Sequence, residues 1–311
     1  MVMNLEQLRG FVEVARLGHF TRASEHLHLA QPSLSRQIST LERELGAELF
    51  HRARGHISLT AAGETLLPRA QRMLADADAI RDEMGELAGL RRGRVRLGAP
   101  PTLCISLVAE AVSSFHAAYP DVDLHLTESG SRLLVEQLAV GAVDIALITA
   151  SDGLPPAGVS LTRMPLLAEE LVVVSSAAEP PLTDGPAIDL EQLAGLPLIT
   201  FGESYELRAT TDAAFREAGL TPHPVLEGAE MDTALRFVER GLGVAVVPAM
   251  VLFDRPGLRS VRLSHPMMTR TVSLAHRSDV TPAIAVAAMR KAIVSTSAEV
   301  ARRDPAITSL L

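Results

Sequence analysis

The chain has 311 residues, of which 47% are hydrophobic, and a formal net charge of −8; this length allows two domains with sizeable cores. No run of eighteen apolar residues is present, which argues against a membrane span, and the first six residues lack the pattern of a secretory signal. Cys104 is the only cysteine, which excludes an internal disulfide and indicates a reducing compartment such as the cytoplasm. We expect it to be a small buried residue and not a nucleophile.

The charge is unevenly distributed along the chain. Residues 1–98 carry 14 arginines and 12 acidic residues, whereas residues 99–311 carry 15 basic and 25 acidic residues. Distribution matters more than the sum for nucleic-acid binding. The mildly basic amino-terminal part can therefore contain a small recognition module, while the acidic remainder limits non-specific binding.

A first helix with one apolar face is predicted from Leu5 to Leu17, and two short helices with a tight turn follow within Thr21–Leu45. Thr21 is a good N-cap for the first of these two, and Pro32 suits the first position of the second. Leu34, Ile38, Leu41 and Leu45 recur at helical spacing and form one apolar face.

The opposite face of the second helix is polar and suits the major groove of DNA in a helix-turn-helix arrangement. The alternative is a pair of surface helices in an ordinary domain, since helical hairpins are common. After Gly46, a plausible helix C-cap, residues 49–59 predict two short strands around a turn, which is the wing of a winged helix-turn-helix. The expected DNA-contacting residues are Thr21, Gln31, Pro32, Ser33, Ser35, Arg36, Arg52 and Arg54.

This segment resembles the amino-terminal signature of the LysR-type transcriptional regulators. The resemblance runs from Phe20-Thr21 through Gln31-Pro32-Ser33, Leu45-Gly46 and Leu49-Phe50 to Leu59-Thr60 and Gly63. One departure is Ser24, where the family usually has a second alanine, and a small hydroxyl residue should be tolerated there. The resemblance implies promoter binding, with RNA polymerase as a further possible partner.

The next predicted helix starts at Thr60 or a neighbouring residue and carries apolar residues at alternating spacings of four and three. This is a heptad seam of the kind that pairs two helices, and in the resembling family the corresponding helix joins two subunits. The alternative is a helix that packs on its own domain. The predicted seam comprises Leu66, Ala70, Met73, Ala77, Ile80, Met84 and Leu87, and we expect a homodimer or a tetramer built as a dimer of dimers.

From Gly93 onward predicted strands and helices alternate, which indicates open α/β sheets. The motifs Tyr119-Pro120-x-Val122, Gly141-x-x-Asp144-Ile145-Ala146 and Gly241-Leu242-Gly243 resemble the effector-binding domain of the same family. That resemblance implies the two-lobed α/β fold of type 2 periplasmic binding proteins. The expected domains are a winged helix-turn-helix at 1–60, a linker helix at 61–92 and an effector-binding domain at 93–311, with lobe I at 93–163 and 271–311 and lobe II at 165–269.

Ligands of open α/β sheets bind beyond the carboxyl ends of strands, where loops lead into helix N-termini. Exposed N–H groups and hydroxyls there suit a carboxylate. The resemblance implies an effector bound between the two lobes, with hydroxyl residues at the positions of Thr102 and Ser131, so we expect a small metabolite with a carboxylate and no cofactor or metal. The alternative for each position is a plain N-cap. Glu203 would repel a carboxylate and could bind an amine instead. The expected effector-binding residues are Pro101, Thr102, Ser129, Gly130, Ser131, Phe201, Gly202 and Ser204.

Enzyme signatures are weak in this sequence. The segment from Gly202 to Glu206 lacks the last glycine of a nucleophile elbow, Gly241-x-Gly243 lacks the third glycine of a dinucleotide loop, and the histidines show no metal-ligand spacing. A cytoplasmic DNA-binding regulator is therefore favoured over two rivals. One is a metabolic enzyme with an appended DNA-binding module, and the other is a solute-binding protein.

Overall fold

The structure, a computed structural model, describes residues 3–53, 56–87, 93–150, 161–202 and 205–311. The predicted site residues Arg54 and Ser204, together with Glu203, lie outside the described residues. The chain divides into two compact units. The first consists mainly of Met1–Gly93, and the second of Arg94–Glu136 and Val143–Leu311.

The first unit is helical with one antiparallel hairpin, β1–β2. Its elements are α1 Leu5–Leu17, α2 Phe20–His26, α3 Gln31–Leu45, β1 Phe50–Ala53, β2 His56–Leu59 and α4 Ala61–Leu87. The fold is therefore the winged helix-turn-helix that the sequence predicts.

A single apolar cluster holds the first unit together. The rings of Phe11 in α1 and Phe50 in β1 are 5.3 Å apart, and Phe20 meets Phe50 edge-on at 6.0 Å. Such aromatic pairs stabilise a core beyond their buried area. The fully buried faces of α1 and α3 complete the cluster with Leu8, Val14, Leu34, Ile38 and Leu41.

The turn between α2 and α3 departs from the prediction in its caps. Helix α2 starts at Phe20 after His19, and neither His19 nor Ala30, which precedes α3, forms a side-chain cap. The prediction that Thr21 is the N-cap is therefore wrong, since the helix begins one residue earlier. Pro32 is the second residue of α3 and not the first. Gly46 ends α3 with a left-handed conformation, as predicted.

Small residues make close local contacts at three places in the first unit, Ser24, Thr60 and Gly63. The Ser24 hydroxyl is buried and donates to the Thr21 carbonyl at 2.9 Å, which explains how the chain accommodates this departure from the family pattern. The Thr60 Oγ1 atom accepts the Gly63 N–H at 3.1 Å and so caps α4. A Cβ atom on Gly63 would lie 2.2 Å from the Leu49 carbonyl oxygen, so this backbone approach requires glycine.

The predicted seam of α4 divides into two parts. Ala70 is fully buried, and Leu66 packs beside it in the core of the same unit, because the first half of α4 lies on α1. The prediction that Ala70 faces a second subunit is therefore wrong, whereas Leu66 is only partly buried and its predicted contact stays a prediction. Met73, Ile80 and Met84 are 43%, 59% and 54% exposed, and Ala77 is partly exposed. The side chain of Leu87 lies outside the described residues.

The second unit is an α/β structure with strands and helices in alternation. Its strands are β3 Arg94–Ala99, β4 Asp123–Glu128, β5 Ile145–Ala150, β6 Leu161–Ser176, β7 Ala187–Ile188, β8 Pro197–Phe201, β9 His223–Ala229, β10 Ala245–Pro248, β11 Leu258–Leu263, β12 Thr269–Arg277 and β13 Ile307–Ser309. Its helices are α5 Pro101–Leu103, α6 Ala109–Ala118, α7 Ser131–Ala139, α8 Leu190–Ala194, α9 Glu206–Glu217, α10 Met231–Glu239 and α11 Ile284–Val300, with a π-helical turn at Cys104–Val108 and a 3₁₀ turn at Ala249–Leu252.

Strand β6 belongs to both lobes of this unit. From Leu161 to Glu170 it pairs with β12, and from Leu171 to Ser176 it pairs with β10 and β11. The strand order β4-β3-β5-β12-β6 forms lobe I, and β10, β11 and β7 form the sheet of lobe II. The first boundary between the lobes, predicted at Met164, lies at Glu170 instead. The strand continues through Met164 without a break, and its partner strands change only after Glu170.

The helical stretch Pro101–Ala118 is long and apolar enough, by composition alone, to cross a membrane. In this fold its apolar side chains have another explanation, because Leu103, Leu107, Ala111 and Phe115 are fully buried in the core of the second unit. It is the buried helix that covers a sheet and connects β3 to β4.

Candidate functional sites

The polar face of α3 is open to solvent. Gln31, Pro32, Ser33 and Arg36 are exposed and Ser35 is partly exposed, whereas Leu34 and Ile38 on the other face are fully buried. Arg36 forms no ion pair with any described residue. Its guanidinium is thus available to an external partner, which is what recognition of a base edge requires.

Arg22 in α2 is a further exposed basic residue of the first unit, and the sequence pattern does not single it out. Like Thr21 beside it, the side chain is exposed, and within the described part of the chain it has no acidic partner. A basic residue at a helix start looks like an ordinary solvated side chain in sequence, so no signal distinguished it.

Arg52 in the wing is held by its own unit. Its Nη2 atom lies 2.6 Å from Glu42 Oε2, and its guanidinium lies over the Phe20 ring at 5.5 Å. Glu42 also accepts the Leu49 N–H at 3.0 Å. Arg52 therefore joins the wing to α3, and its predicted contact with DNA stays a prediction.

The second unit contains a cavity of about 280 Å³ between its two lobes. Four of the predicted effector residues line it, namely Pro101, Thr102, Ser129 and Gly130. They follow the ends of β3 and β4, where parallel strands place their loops at one edge of the sheet. Pro100, which precedes Pro101 in the same predicted loop, also lines the cavity. The sequence patterns do not single out the remaining lining residues, which are Thr149, Tyr205, Glu206, Leu207, Glu230 and Arg270.

Thr102 lies inside the first helical turn after β3. Pro100 is the N-cap and forms no side-chain cap, so the alternative that Thr102 is a plain N-cap is wrong. Its Oγ1 atom instead accepts a hydrogen bond from Arg270 Nη1 at 2.8 Å. Because the hydroxyl makes no other hydrogen bond with described residues, its proton can be donated to a ligand.

Ser131 is placed behind the cavity wall and not in it. The side chain is completely buried, its Oγ atom accepts the Thr149 N–H at 3.0 Å, and it meets Thr149 Oγ1 at 3.0 Å. Thr149 Oγ1 in turn donates to Glu206 Oε2. Since Glu206 can only accept, the proton of Ser131 is given to Thr149. The prediction that the Ser131 hydroxyl faces the cavity is therefore wrong, and Thr149 lines the cavity instead.

Phe201 and Gly202 also lie outside the cavity wall, contrary to the prediction. Phe201 is buried and stacks on Tyr205 with ring centroids 5.6 Å apart, so it supports a lining residue from behind. The Tyr205 hydroxyl donates to Glu230. Burial, and then the hydrogen bond to Glu230, raises the pKa of Tyr205 far above its usual value, so this phenol stays neutral.

The cavity has charges of both signs. Arg270 is bound to the buried Glu169, with an Nη2–Oε1 distance of 2.6 Å and an Nε–Oε1 distance of 2.7 Å. Glu206 and Glu230 have no basic partner among the described residues. The cavity therefore contains one arginine that is already neutralised and two carboxylates that are not.

A reactive cysteine or a metal centre would be another kind of functional site. Burial, and to a smaller degree repulsion by Glu128, raises the pKa of Cys104 to about 12, so its thiol is protonated at neutral pH. Among the described residues no group of three or more histidine, cysteine or acidic side chains could hold a metal ion. In the described part of the chain, neither feature provides a nucleophile or a metal centre.

Known proteins resemble both units. Residues 5–64 match the family described as bacterial regulatory helix-turn-helix protein, lysR family, and residues 88–298 match the LysR substrate binding domain. The chain is 34% identical over 273 residues to the uncharacterized HTH-type transcriptional regulator YybE of Bacillus subtilis, covering 88% of this chain and 92% of YybE. It is 33% identical over 288 residues to the HTH-type transcriptional regulator IlvR of Caulobacter vibrioides, covering 91% and 95%.

Among solved structures, the full-length OxyR of Pseudomonas aeruginosa superposes with a TM-score of 0.71 at 28% identity, and the match covers 97% of each chain. The similarity therefore extends over the helix-turn-helix unit, the linker helix and the two-lobed unit alike.

Proposed function

The chain belongs to the LysR family of transcriptional regulators, with a DNA-binding helix-turn-helix domain and an effector-binding domain, and we propose that it reads promoter DNA with the polar face of α3. The observation that carries the proposal is this exposed face, with an arginine that no described residue neutralises. Arg36 would contact a guanine edge and Gln31 an adenine edge. The hydroxyls of Thr21, Ser33 and Ser35, together with Arg22, Arg52 and Arg54, would contact phosphates or sugars.

We propose further that the exposed apolar residues of α4 pair with the same helix in a second copy. Met73, Ile80 and Met84 recur at heptad spacing on one face, and a C₂ dimer would present two copies of α3 to two half-sites of one DNA duplex. Two such dimers can form a tetramer.

The regulatory ligand would bind in the cavity between the lobes, where Thr102, Thr149 and Arg270 meet Glu206 and Glu230. A ligand that binds one arrangement of the lobes better than another shifts the population of the protein and thereby its promoter binding or DNA bending. Contact with RNA polymerase would then transmit the change to transcription. We infer that the chain performs no catalysis and acts in the cytoplasm, where its DNA target lies. The homologues are named as regulators and not as enzymes.

Selection of binding sites from a random double-stranded DNA library tests the proposal. The full-length protein should enrich a sequence with two related half-sites about one helical turn, or a multiple of it, apart. On the enriched DNA, Arg36→Ala should lose about 1–3 kcal/mol of discrimination against the wrong base, while its binding to random DNA changes less.

Arg302→Ala is the matched control, because it removes an exposed arginine near the carboxyl terminus, outside the helix-turn-helix unit. Failure to enrich any sequence would contradict the proposed function. Equal losses for Arg36→Ala on enriched and random DNA would contradict base recognition by Arg36.

A further inference from the structure

The charges around the inter-lobe cavity indicate which class of molecule it holds. In the cavity wall Thr102 can donate a proton while its oxygen accepts a hydrogen bond from Arg270. Ser129 and Gly130 line the same cavity at the start of α7, where the Gly130 carbonyl accepts the Leu134 N–H at 3.1 Å. The N–H groups of the first helical turn have no partner within their helix, so this part of the wall suits a carboxylate.

Two carboxylates that line the same cavity suit a cation. Glu206 uses one carboxylate oxygen to accept from Thr149, and Glu230 uses one to accept from Tyr205. Their other oxygens have no hydrogen-bond donor among the described residues. The pKa of Tyr205 is raised first by burial, then by Glu230, and to a small degree by a third carboxylate, Glu128. An ammonium group with its three donors would satisfy the free oxygens of Glu206 and Glu230, whereas a second carboxylate beside them would be repelled.

The single arginine of the cavity does not offset this excess of negative charge. Arg270 is neutralised by Glu169, which is only 1% exposed and also accepts the Met250 N–H at 3.1 Å. A ligand with a carboxylate alone would therefore face Glu206 and Glu230 without compensation. A ligand with an amine alone would leave the donors near Thr102 unused. A molecule that carries both groups matches both the donors and the carboxylates of the wall.

We propose that the effector is a zwitterionic amino acid, with its ammonium group held by Glu206 and Glu230 and its carboxylate at Thr102, Ser129 and Gly130. The inference rests on the proposed regulatory role of the cavity and names the ligand class for that site. A volume of about 280 Å³ suits a small molecule of this kind. The neighbouring opening along Gly130, Leu133 and Glu206 leaves room for side chains of different length.

The test is a binding screen of the full-length protein against the twenty protein L-amino acids, by thermal shift and then calorimetry. For the tightest binder, the matched carboxylic acid without the amine and the matched amine without the carboxylate are titrated as well. Since each charge-assisted contact is worth about a factor of ten or more in affinity, the amino acid should bind at least about tenfold tighter than either half-molecule. If no amino acid binds, or if either half-molecule binds as tightly, the inference is wrong.

Charge variants locate the contact. Glu206→Gln and Glu230→Gln keep an oxygen that can accept from Thr149 and Tyr205, and each should weaken amino-acid binding at least about tenfold. Glu217→Gln is the control, because Glu217 is exposed at the other end of α9, and it should bind the amino acid like the parent. Amino-acid binding that both cavity variants leave unchanged would overturn the inference.

The two proposals fail in distinguishable ways. If a carboxylic acid without an amine binds and Thr102→Val abolishes that binding, the cavity is the effector site but the assigned ligand class is wrong. If DNA selection fails, the proposed function is wrong whatever the cavity binds. Circular dichroism of each variant without ligand shows that a loss of binding is not a loss of folding.

Discussion

Cys104 illustrates how its surroundings set the chemistry of a single residue. The side chain lies in the π-helical turn after β3, and its Sγ atom is 3.6 Å from the Ala99 carbonyl oxygen. Its pKa is raised to about 12, first by burial and then by the Glu128 carboxylate. Because the thiolate is the reactive form of cysteine, the folded protein contains an unreactive thiol.

Alkylation tests this conclusion. At pH 8 iodoacetamide should modify Cys104 in the folded protein at least about tenfold more slowly than in urea, where the thiol pKa is about 8.5. The rate in the folded protein should rise as the pH approaches 12. The unfolded state loses the Cys104 proton at a lower pH than the folded state does. The contribution of Cys104 to the free energy of unfolding is therefore constant below pH about 8.5 and falls as the pH rises above it. Mass spectrometry follows the reaction, and equal rates in both states would contradict the raised pKa.

Residues around the cavity show what sequence reasoning can and cannot find. Thr102 and Gly130 follow strands of lobe I, and the rule about strand ends located them. The same rule applies to Glu206 after β8 and Glu230 after β9, but acidic residues at helix starts look like ordinary partners of the helix dipole. Arg270 is 168 residues from its partner Thr102, and no local pattern connects the two.

At the scale of elements, α4 performs two roles along its length. Its first half packs in the core of its own unit through Leu66 and Ala70, while Met73, Ile80 and Met84 remain exposed in the single chain. Heptad spacing alone cannot separate these roles, because both a core and a partner helix demand an apolar stripe. The exposed half is the part that we expect to join two copies.

Ile80→Glu tests that expectation. If α4 pairs with α4 of a second copy, the two carboxylates introduced by Ile80→Glu would be buried close to each other. Their repulsion should lower dimer affinity at least about tenfold. Sedimentation at micromolar concentration should show a smaller species. Thr65→Glu is the control, because Thr65 is an exposed residue of the first half of α4, and the dimer should persist. If Ile80→Glu assembles like the parent, α4 is not the interface.

Strand β6 can be predicted from sequence over only part of its length, for a physical reason. The apolar run Leu171–Val174 predicts a strand, but the preceding part of β6 contains Pro165, Glu169 and Glu170, which are uncommon in strands. Glu169 is tolerated there because Arg270 in the adjacent strand, at the paired register position, neutralises it. Such a long-range pair is visible only once the fold is known.

At the scale of the whole molecule, this ion pair connects the cavity to the strand that joins the lobes. Glu169 lies in β6 just before its pairing switches from lobe I to lobe II, and it accepts the Met250 N–H from lobe II. Arg270 lies near the start of β12 and donates to Thr102 in the cavity wall. A ligand that competes for Thr102 or the Arg270 guanidinium would therefore act directly on the connection between the lobes.

Coupling between ligand and DNA is the central claim, and it is a reciprocal free energy between two sites. The most direct measurement is an electrophoretic titration of the selected DNA with the protein. It is done with and without a saturating concentration of the tightest-binding compound. The binding site is placed at different positions in fragments of equal length, so that mobility reports the bend. Such couplings are typically about 5–150-fold. The account predicts a change of at least about fivefold in DNA affinity, or a change in mobility that depends on the position of the site and reports a different bend. If the ligand saturates the protein and neither affinity nor bend changes, the claim that the cavity regulates DNA binding is contradicted.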